Sequence, residues 1–227
     1  MALTAAEEAV ALYRGLAEQR PDAHLPGLAG ALSNLGSRLD RLGRHEPALA
    51  AAEEAVTLRR RLAAQRPDVH LRGLATALNN FGTPLDNLGR YELALAAAEE
   101  AVALYRGLAT RLPNAHLSGL ASALNNLGGH LGRLGRYEPA LAAAEEAVTL
   151  FRGLAEQRPD AHLRDLAGTL NNLSSWLEGL GRQEAALSAM RECVQAWQAA
   201  CRHHPELYEG RLAFAQAQLR HRHPPLI

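Results

Sequence analysis

The pattern of apolar and polar positions along the chain repeats with a constant period of 46 residues, marked by Glu7, Glu53, Glu99 and Glu145. In the stretch from Ala123 to Leu163, apolar side chains recur at helical spacing. Nearly the same sequence occurs elsewhere in the chain, shifted by one period. A fixed period of about 20–50 residues indicates a repeat array. Prolines mark the same period: Pro21, Pro67, Pro113, Pro159 and Pro205.

The first half of each period predicts one helix. Leu124, Leu127, Leu131 and Leu134 lie on one face of it. Gly135 follows, and glycine accepts the left-handed conformation in which many helices end. We therefore expect the helix to end at this glycine in every unit.

The second half predicts an alanine-rich helix from Glu138 to about Glu156, with one apolar stripe formed by Ala140, Ala144, Ala147, Phe151 and Leu154. Alanine favours helix and lets a neighbouring helix approach closely. The Gln-Arg-Pro-Asp segment then breaks the pattern, and we expect Asp160 to cap the next helix. Each unit is thus predicted to be an antiparallel helical hairpin that must stack on its neighbours to bury its apolar faces.

The whole chain, 1–227, is predicted to form one such array. A lone helix of the second type is expected at 1–20 and a C-terminal capping helix at 205–222. The four hairpins between them are predicted at 23–65, 69–111, 115–157 and 161–203. Pro84 falls inside a first helix and is expected to kink it, because proline removes one helical hydrogen bond.

The repeated motifs resemble a known family. Leu-x-x-Leu-Gly-x-x-Leu, Gly-Arg-x-Glu-x-Ala-Leu and Glu-Glu-Ala-Val look like the tetratricopeptide repeat (TPR). Asn-Asn before Leu-Gly, and Pro-Asp between repeats, are similar to the long repeats of kinesin light chains. The resemblance implies an all-α fold, an α-α superhelix (TPR solenoid) of stacked hairpins, whose first helices line a concave face. It also implies a non-catalytic protein-protein interaction scaffold, which in similar proteins often regulates a larger signalling protein.

The concave face can be located from the helical period. At 100° per residue, Ser122, Asn126, Gly129 and Arg133 lie opposite the leucine stripe of their helix. The equivalent positions form a ladder of asparagines, Asn34, Asn80, Asn126 and Asn172, beside a second column, Ser33, Asn79, Asn125 and Asn171. Asparagine offers both a donor and an acceptor, so such a ladder can pair with the backbone of an extended peptide.

Two further features bear on this predicted groove. Asn87 belongs to the same face, and Arg41 and Arg133 could each hold a carboxylate of a bound partner. The alternative is that the asparagines bond to adjacent helices and keep the array in register. In that case the ladder stabilises the fold and contacts no partner.

Composition narrows the class of partner. Formal net charge is zero, with 24 basic residues, none of them lysine, and 24 acidic residues. This balance argues against a nucleic acid or an anionic membrane as partner. The chain has no basic leader and no apolar run near the roughly 20 residues that span a membrane, so we expect a soluble cytoplasmic protein.

The sequence offers little catalytic chemistry. His24, His70, His116 and His162 recur at the period, too far apart to share one metal ion, and are expected to pack or hydrogen-bond in the turns. His203, His204, His221 and His223 could bind metal adventitiously at the C-terminus. Cys193 and Cys201 lie eight residues apart on one helix and cannot form a disulfide with each other. Neither an enzyme nor a cofactor is expected.

An alternative function comes from the two ends. The chain begins with a second helix and ends with a first helix, so copies could join head to tail as a structural module. The degenerate sequence of 207–220 favours a cap instead. A monomer is therefore the preferred expectation.

Overall fold

The computed structural model describes residues 2–222, which form ten α-helices and no strand. Helices of the second type are α1, α3, α5, α7 and α9, and helices of the first type are α2, α4, α6, α8 and α10. Their bounds are Ala2–Gln19 (α1), Pro21–Arg41 (α2), His45–Gln65 (α3), Pro67–Asn87 (α4), Tyr91–Arg111 (α5), Pro113–Arg133 (α6), Tyr137–Gln157 (α7), Pro159–Gly179 (α8), Gln183–His203 (α9) and Pro205–Arg222 (α10).

The first helices begin at the period proline, two residues before the expected starts. Proline suits the first helical position because its fixed φ is helical and its missing N–H would have no partner there. The prediction that Asp160 caps α8 is wrong: the cap residue is Arg158, which makes no side-chain capping bond, and Asp160 lies in the first turn. A carboxylate in that turn still interacts favourably with the helix dipole.

The first helices end as the sequence predicts. Gly43, Gly89, Gly135 and Gly181 all have positive φ, between 70° and 73°. At Gly135 the backbone N–H donates to the carbonyl of Gly132, and the N–H of Arg136 donates to that of Leu131, at 3.0 and 2.9 Å. This pair of bonds satisfies carbonyls at the helix end and reverses the chain into α7.

The helices fall into two compact units, residues 1–113 and 114–227. In the first unit, helices α1 to α5 pack in chain order. In the second unit, α7 to α10 pack in the same way, and α6 lies against α7 through Gly128. Each unit is therefore a stack of antiparallel hairpins.

Alanines and leucines form the core of both units. In α7 the predicted stripe is buried at Ala140, Ala144, Ala147 and Phe151, and Leu154 packs partly buried against the same cluster. In α6 Leu124 and Leu131 are buried, whereas Leu127 and Leu134 are half-buried. Helix α4 runs unbroken through the buried Pro84, and the predicted kink stays a prediction.

Within the first, third and fourth hairpins the two helices meet at a small residue. A Cβ added to Gly36 would lie 3.1 Å from the carbonyl oxygen of Ala48, and one added to Gly128 would lie 3.2 Å from that of Ala140. In the fourth hairpin the equivalent residue is Ser174, whose hydroxyl donates to the carbonyl of Ala186 at 2.9 Å. This contact therefore leaves no room for a long side chain.

Candidate functional site

A cavity of the second unit lies on the predicted ladder face. We call it the unit-2 groove; it has a volume of about 740 Å³. Its walls come from the first helices α6, α8 and α10, and its floor includes Phe151 of α7 and Trp197 of α9. The other lining residues are Ser122, Asn125, Asn126, Arg164, Asp165, Gly168, Thr169, Asn171, Asn172, Leu207, Tyr208 and Arg211.

Four predicted asparagines thus meet in one groove: Asn125, Asn126, Asn171 and Asn172. Asn172 donates from Nδ2 to Oδ1 of Asn125 at 3.0 Å, which joins α8 to α6. This bond is what the register alternative predicts. Each side-chain amide has two N–H donors and an oxygen with two lone pairs, so one mutual bond leaves further donors and acceptors facing the groove.

The hydroxyl groups on this face are already used. Ser122 donates to the carbonyl of Ser118, and Ser175 donates to that of Asn171, each four residues earlier in its own helix. Thr169 does the same to Asp165. These three hydroxyl groups are therefore engaged within their own helices.

Charge in the groove is concentrated toward α8 and α10. Arg164 and Asp165 form an ion pair with each other, with Nε 3.1 Å from Oδ1. Arg211 is exposed, and it makes no ion pair with any residue between 2 and 222. It is thus the cation of the groove that is best placed to receive a carboxylate.

An aromatic pair forms one end of the groove. The ring centroids of Trp197 and Tyr208 lie 5.6 Å apart, with their planes tilted by 42°. Trp197 is buried and Tyr208 is half-buried, so the pair is fixed by the core while part of it faces the groove. The sequence analysis placed no binding residue here. The sequence does carry one signal for this groove: Asp165, which lines it, breaks the period, because other units have Gly27 and Gly73 at the equivalent position.

In the first unit the ladder face is divided between two smaller cavities. Asn80 and Arg41 line one of about 280 Å³ between α2 and α4. Asn34 lines another of about 440 Å³ beside α1. Asn87 donates to Oδ1 of Asp40 at 2.8 Å, and so ties α4 to α2.

The remaining predicted residues do not join these cavities. Asn79 is half-buried, and Arg133 is exposed at the end of α6. The carboxylate-binding role of Arg41 and Arg133 stays a prediction, as does the peptide-binding role of Asn34, Asn79, Asn80, Asn87, Asn125, Asn126, Asn171 and Asn172.

The outer face of each unit carries a ladder of ion pairs between second helices. Arg14 pairs with Glu54 in the first unit, and Arg152 pairs with Glu192 in the second, at 2.7 and 2.9 Å. Such exposed pairs contribute about 0.2–1 kcal/mol each. They fix neighbouring second helices side by side and lie outside the groove.

The period histidines pack as predicted. His70, His116 and His162 are buried, and His24 is half-buried. Within residues 2–222 no cluster of three or more His, Cys, Asp and Glu side chains could hold a metal ion. The predicted adventitious metal site extends to His223 and to the side chain of His203, which lie outside what the structure describes.

Both cysteines are thiols and neither is part of a disulfide. Cys193 is buried, and its thiol lies 3.2 Å from the carbonyl oxygen of Ala167. Burial, together with the nearby Glu209, raises the pKa of Cys201. A thiol with a raised pKa stays protonated near neutrality and is a poor nucleophile.

His70 is expected to make stability fall in acid. Its burial, together with Arg66 and Arg59, lowers its pKa in the folded state. The unfolded chain then binds more protons, so stability is full above the unfolded pKa of about 6.5 and is lost as the pH falls below it. Urea unfolding between about pH 7.5 and pH 5 should show a smaller loss for His70→Leu than for the wild type. Equal losses would mean that His70 is not the group responsible.

Comparison with known proteins identifies the repeat. A family model described as "Tetratricopeptide repeat" matches residues 28–66, 74–108, 120–156 and 166–206, which is more than half of the chain. The chain belongs to the tetratricopeptide repeat family. This family is generally a non-catalytic scaffold that binds protein partners, and the matched segments begin within the first helices and end within or just beyond the second helices.

Solved structures agree on the fold. The crystal structure of BtubC (BKLC) from P. vanneervenii has 19% sequence identity and a TM-score of 0.66, over 100% of this chain and 94% of that one. The crystal structure of MamA has 16% identity and a TM-score of 0.55, over 87% of this chain and 92% of that one. The predicted all-α TPR fold is therefore confirmed, whereas the likeness to kinesin light chains stays a prediction.

Two further observations on this chain are negative. A search of curated protein sequences finds no match to this TPR chain. Among the described helices, none has the length and hydropathy needed to span a membrane. The cytoplasmic location stays a prediction.

Proposed function

We propose that the chain is a non-catalytic scaffold that holds an extended peptide segment of a partner protein in the unit-2 groove. The single observation that carries this proposal is the convergence of four asparagines, two from the ladder and two from the second column, over an aromatic floor in one cavity of about 740 Å³. Binding sites of this kind are concave, mostly apolar at the base, and carry a few polar groups that fix orientation.

The polar wall fits a peptide backbone. An extended segment presents N–H and C=O groups at regular intervals, and an asparagine amide can pair with both. Asn171 and Asn172 are adjacent on α8, and Asn125 stands across from them on α6. Contacts to the backbone give affinity without requiring a particular partner sequence.

The floor and the charges supply selectivity. Trp197 and Tyr208 offer an aromatic surface to an apolar side chain of the partner. Arg211 offers a guanidinium to a carboxylate a short distance away. A peptide that carries both features is expected to bind more tightly than one that carries neither.

The test uses a random peptide library displayed on phage and selected against the 227-residue chain. Selected peptides are then measured by calorimetry against the wild type and Asn171→Ala. Asn171 lines the groove and is half-buried, so truncation of its side chain should leave the thermal unfolding midpoint nearly unchanged. Binding is expected to weaken by about tenfold, the loss of one or two net hydrogen bonds.

The matched control is Asn172→Ala, which also removes the bond to Asn125. It should lower both affinity and thermal stability. If Asn171→Ala lowers stability and leaves affinity unchanged, the asparagines serve register and the proposal fails. Selected peptides that bind equally well to both variants would also place the site elsewhere.

A further inference from the structure

Arg59 interrupts a series of aromatic residues on the second helices. The equivalent residues, each one period apart, are Tyr13, Arg59, Tyr105, Phe151 and Trp197. Tyr105, Phe151 and Trp197 are buried, whereas Arg59 is half-buried. In the first unit, α3 therefore carries a guanidinium at the position where the other second helices carry an aromatic ring.

The Arg59 side chain lies against two first helices, and both offer it a glycine. A Cβ added to Gly73 of α4 would lie 2.7 Å from Nη1 and 3.1 Å from Cζ of Arg59, so the guanidinium lies directly against this glycine. A Cβ added to Gly30 of α2 would lie 3.7 Å from Nη2. Because glycine has no side chain, the guanidinium meets no polar side chain at either position.

The next repeat shows what Arg59 lacks. Thr76 is the equivalent of Gly30 one period later, and its hydroxyl lies 2.8 Å from the hydroxyl of Tyr105. The polar end of Tyr105 thus has a partner on a first helix, whereas Arg59 has glycine at that place. Among the side chains that the structure describes, none forms a hydrogen bond or an ion pair with Arg59. Its N–H donors therefore remain available to a ligand.

The charge of Arg59 is not balanced within the first unit. Burial lowers the pKa of Arg59, and no carboxylate of the described chain counters this effect. Arginine nevertheless stays charged at neutral pH. A charge that is partly removed from water is costly unless it is paired, so a bound anion would offset a cost that the fold already carries.

The Nη2 end of the guanidinium reaches the predicted ladder face. Gly30 occupies the position on α2 that Ser122 occupies on α6, and Asn34 of the ladder follows Gly30 by one helical turn. Asn34 is exposed. A ligand on this face of the first unit can therefore reach the guanidinium past a glycine that leaves the approach open.

We propose that Arg59, between Gly30 and Gly73, binds a carboxylate of a partner protein, either an acidic side chain or a chain end. The planar guanidinium can donate two parallel N–H bonds to the two oxygens of a carboxylate. A carboxylate also matches its single charge, whereas a phosphate group carries about −1.5 to −2 near neutrality. The site belongs to the first unit, so the proposal does not depend on the function proposed for the unit-2 groove.

The test adds short peptides to the ¹⁵N-labelled 227-residue chain at constant ionic strength and follows its NMR spectrum. One probe is acetyl-Ala-Glu-Ala-amide, which carries a side-chain carboxylate, and the other is acetyl-Ala-Ala-Ala with a C-terminal carboxylate. At least one probe should shift the Nε–H signal of Arg59 and the backbone amide signals of Gly30 and Gly73, with half-saturation in the millimolar range. The probe that binds more tightly identifies the source of the carboxylate.

Arg59→Tyr removes the guanidinium and keeps the fold, because tyrosine can lie against Gly73 as Tyr13 lies against Gly27. This variant should weaken binding at least about tenfold. The matched control is Arg61→Tyr at an exposed position of the same helix, which should leave the half-saturation concentration unchanged.

Gly30→Asp supplies a carboxylate from the chain itself. A Cβ at this position lies 3.7 Å from Nη2 of Arg59, so the new carboxylate can pair with the guanidinium. Saturable binding of both peptides should then be lost. Binding to Gly30→Asp as tight as to the wild type would overturn the proposal.

Three further results would overturn it. Neither peptide shifts the Arg59 signal, or acetyl-Ala-Gln-Ala-amide shifts it with the same half-saturation, which would mean that charge is not recognised. The signal of the exposed Arg61 responds as that of Arg59 does, which would indicate ordinary surface pairing. Inorganic phosphate binds more tightly than either peptide, which would contradict the assignment to a carboxylate.

Discussion

Replacing Phe151 by alanine is expected to lower the free energy of unfolding of the second unit by about 3–5 kcal/mol. Phe151 is 2% exposed and is among the largest fully buried side chains of the chain. It belongs to the core cluster that joins α7, α8 and α9, so its removal leaves a cavity among rigid helices. Urea unfolding followed by far-ultraviolet circular dichroism measures the effect.

The matched control is Phe214→Ala in the same unit. Phe214 is 58% exposed on α10, so its truncation removes little buried surface and should change the free energy of unfolding by less than about 0.5 kcal/mol. Similar losses for the two variants would contradict the packing described for α7. A large loss for Phe214 alone would mean that α10 is covered by something outside the described residues.

Two glycines of α6, Gly132 and Gly129, are expected to change the stability of the second unit in opposite directions when each is replaced by alanine. A Cβ on Gly132 would lie 2.2–2.8 Å from three ring atoms of Trp176, which stacks on Tyr137 at a centroid distance of 6.3 Å. Gly132→Ala should therefore destabilise the unit by about 1–3 kcal/mol, as overpacked cores do. Differential scanning calorimetry should show a lower melting temperature.

Gly129→Ala is the control for that experiment. No atom lies within 4 Å of a Cβ on Gly129, which is in the middle of the same helix. Because alanine is the better helix former, this variant should stabilise the unit by up to about 1 kcal/mol. If both variants stabilise, the indole ring of Trp176 does not occupy the position between Gly132 and Tyr137.

The fold was predictable because one signal repeats in every period. Each repeat combines a leucine stripe, a glycine that ends the first helix and an alanine-rich second helix. These three features predict the same hairpin, so an ambiguity in one of them is resolved by the other two. The positive φ of Gly135 follows directly from its place after the last leucine. The expected cap at Asp160 failed because the preceding proline sets the start of α8 two residues earlier.

The candidate site was predictable only in part. The helical period places Asn126 and Asn172 on one face, and both line the unit-2 groove. The period carries no information about the contacts between helices of different hairpins, so the bond from Asn172 to Asn125 was left open between two alternatives. Tyr208 and Arg211 lie in the degenerate C-terminal helix, where the repeat pattern no longer predicts a role.

The most direct test of the account uses the two indole N–H signals of the chain. Trp197 lies in the floor of the unit-2 groove, and Trp176 lies outside its lining. In a ¹H–¹⁵N spectrum, a phage-selected peptide is expected to shift the indole signal of Trp197 and the side-chain amide signals of Asn171 and Asn172, while the indole signal of Trp176 stays in place. A bound peptide that leaves all three groove signals unshifted would contradict the account.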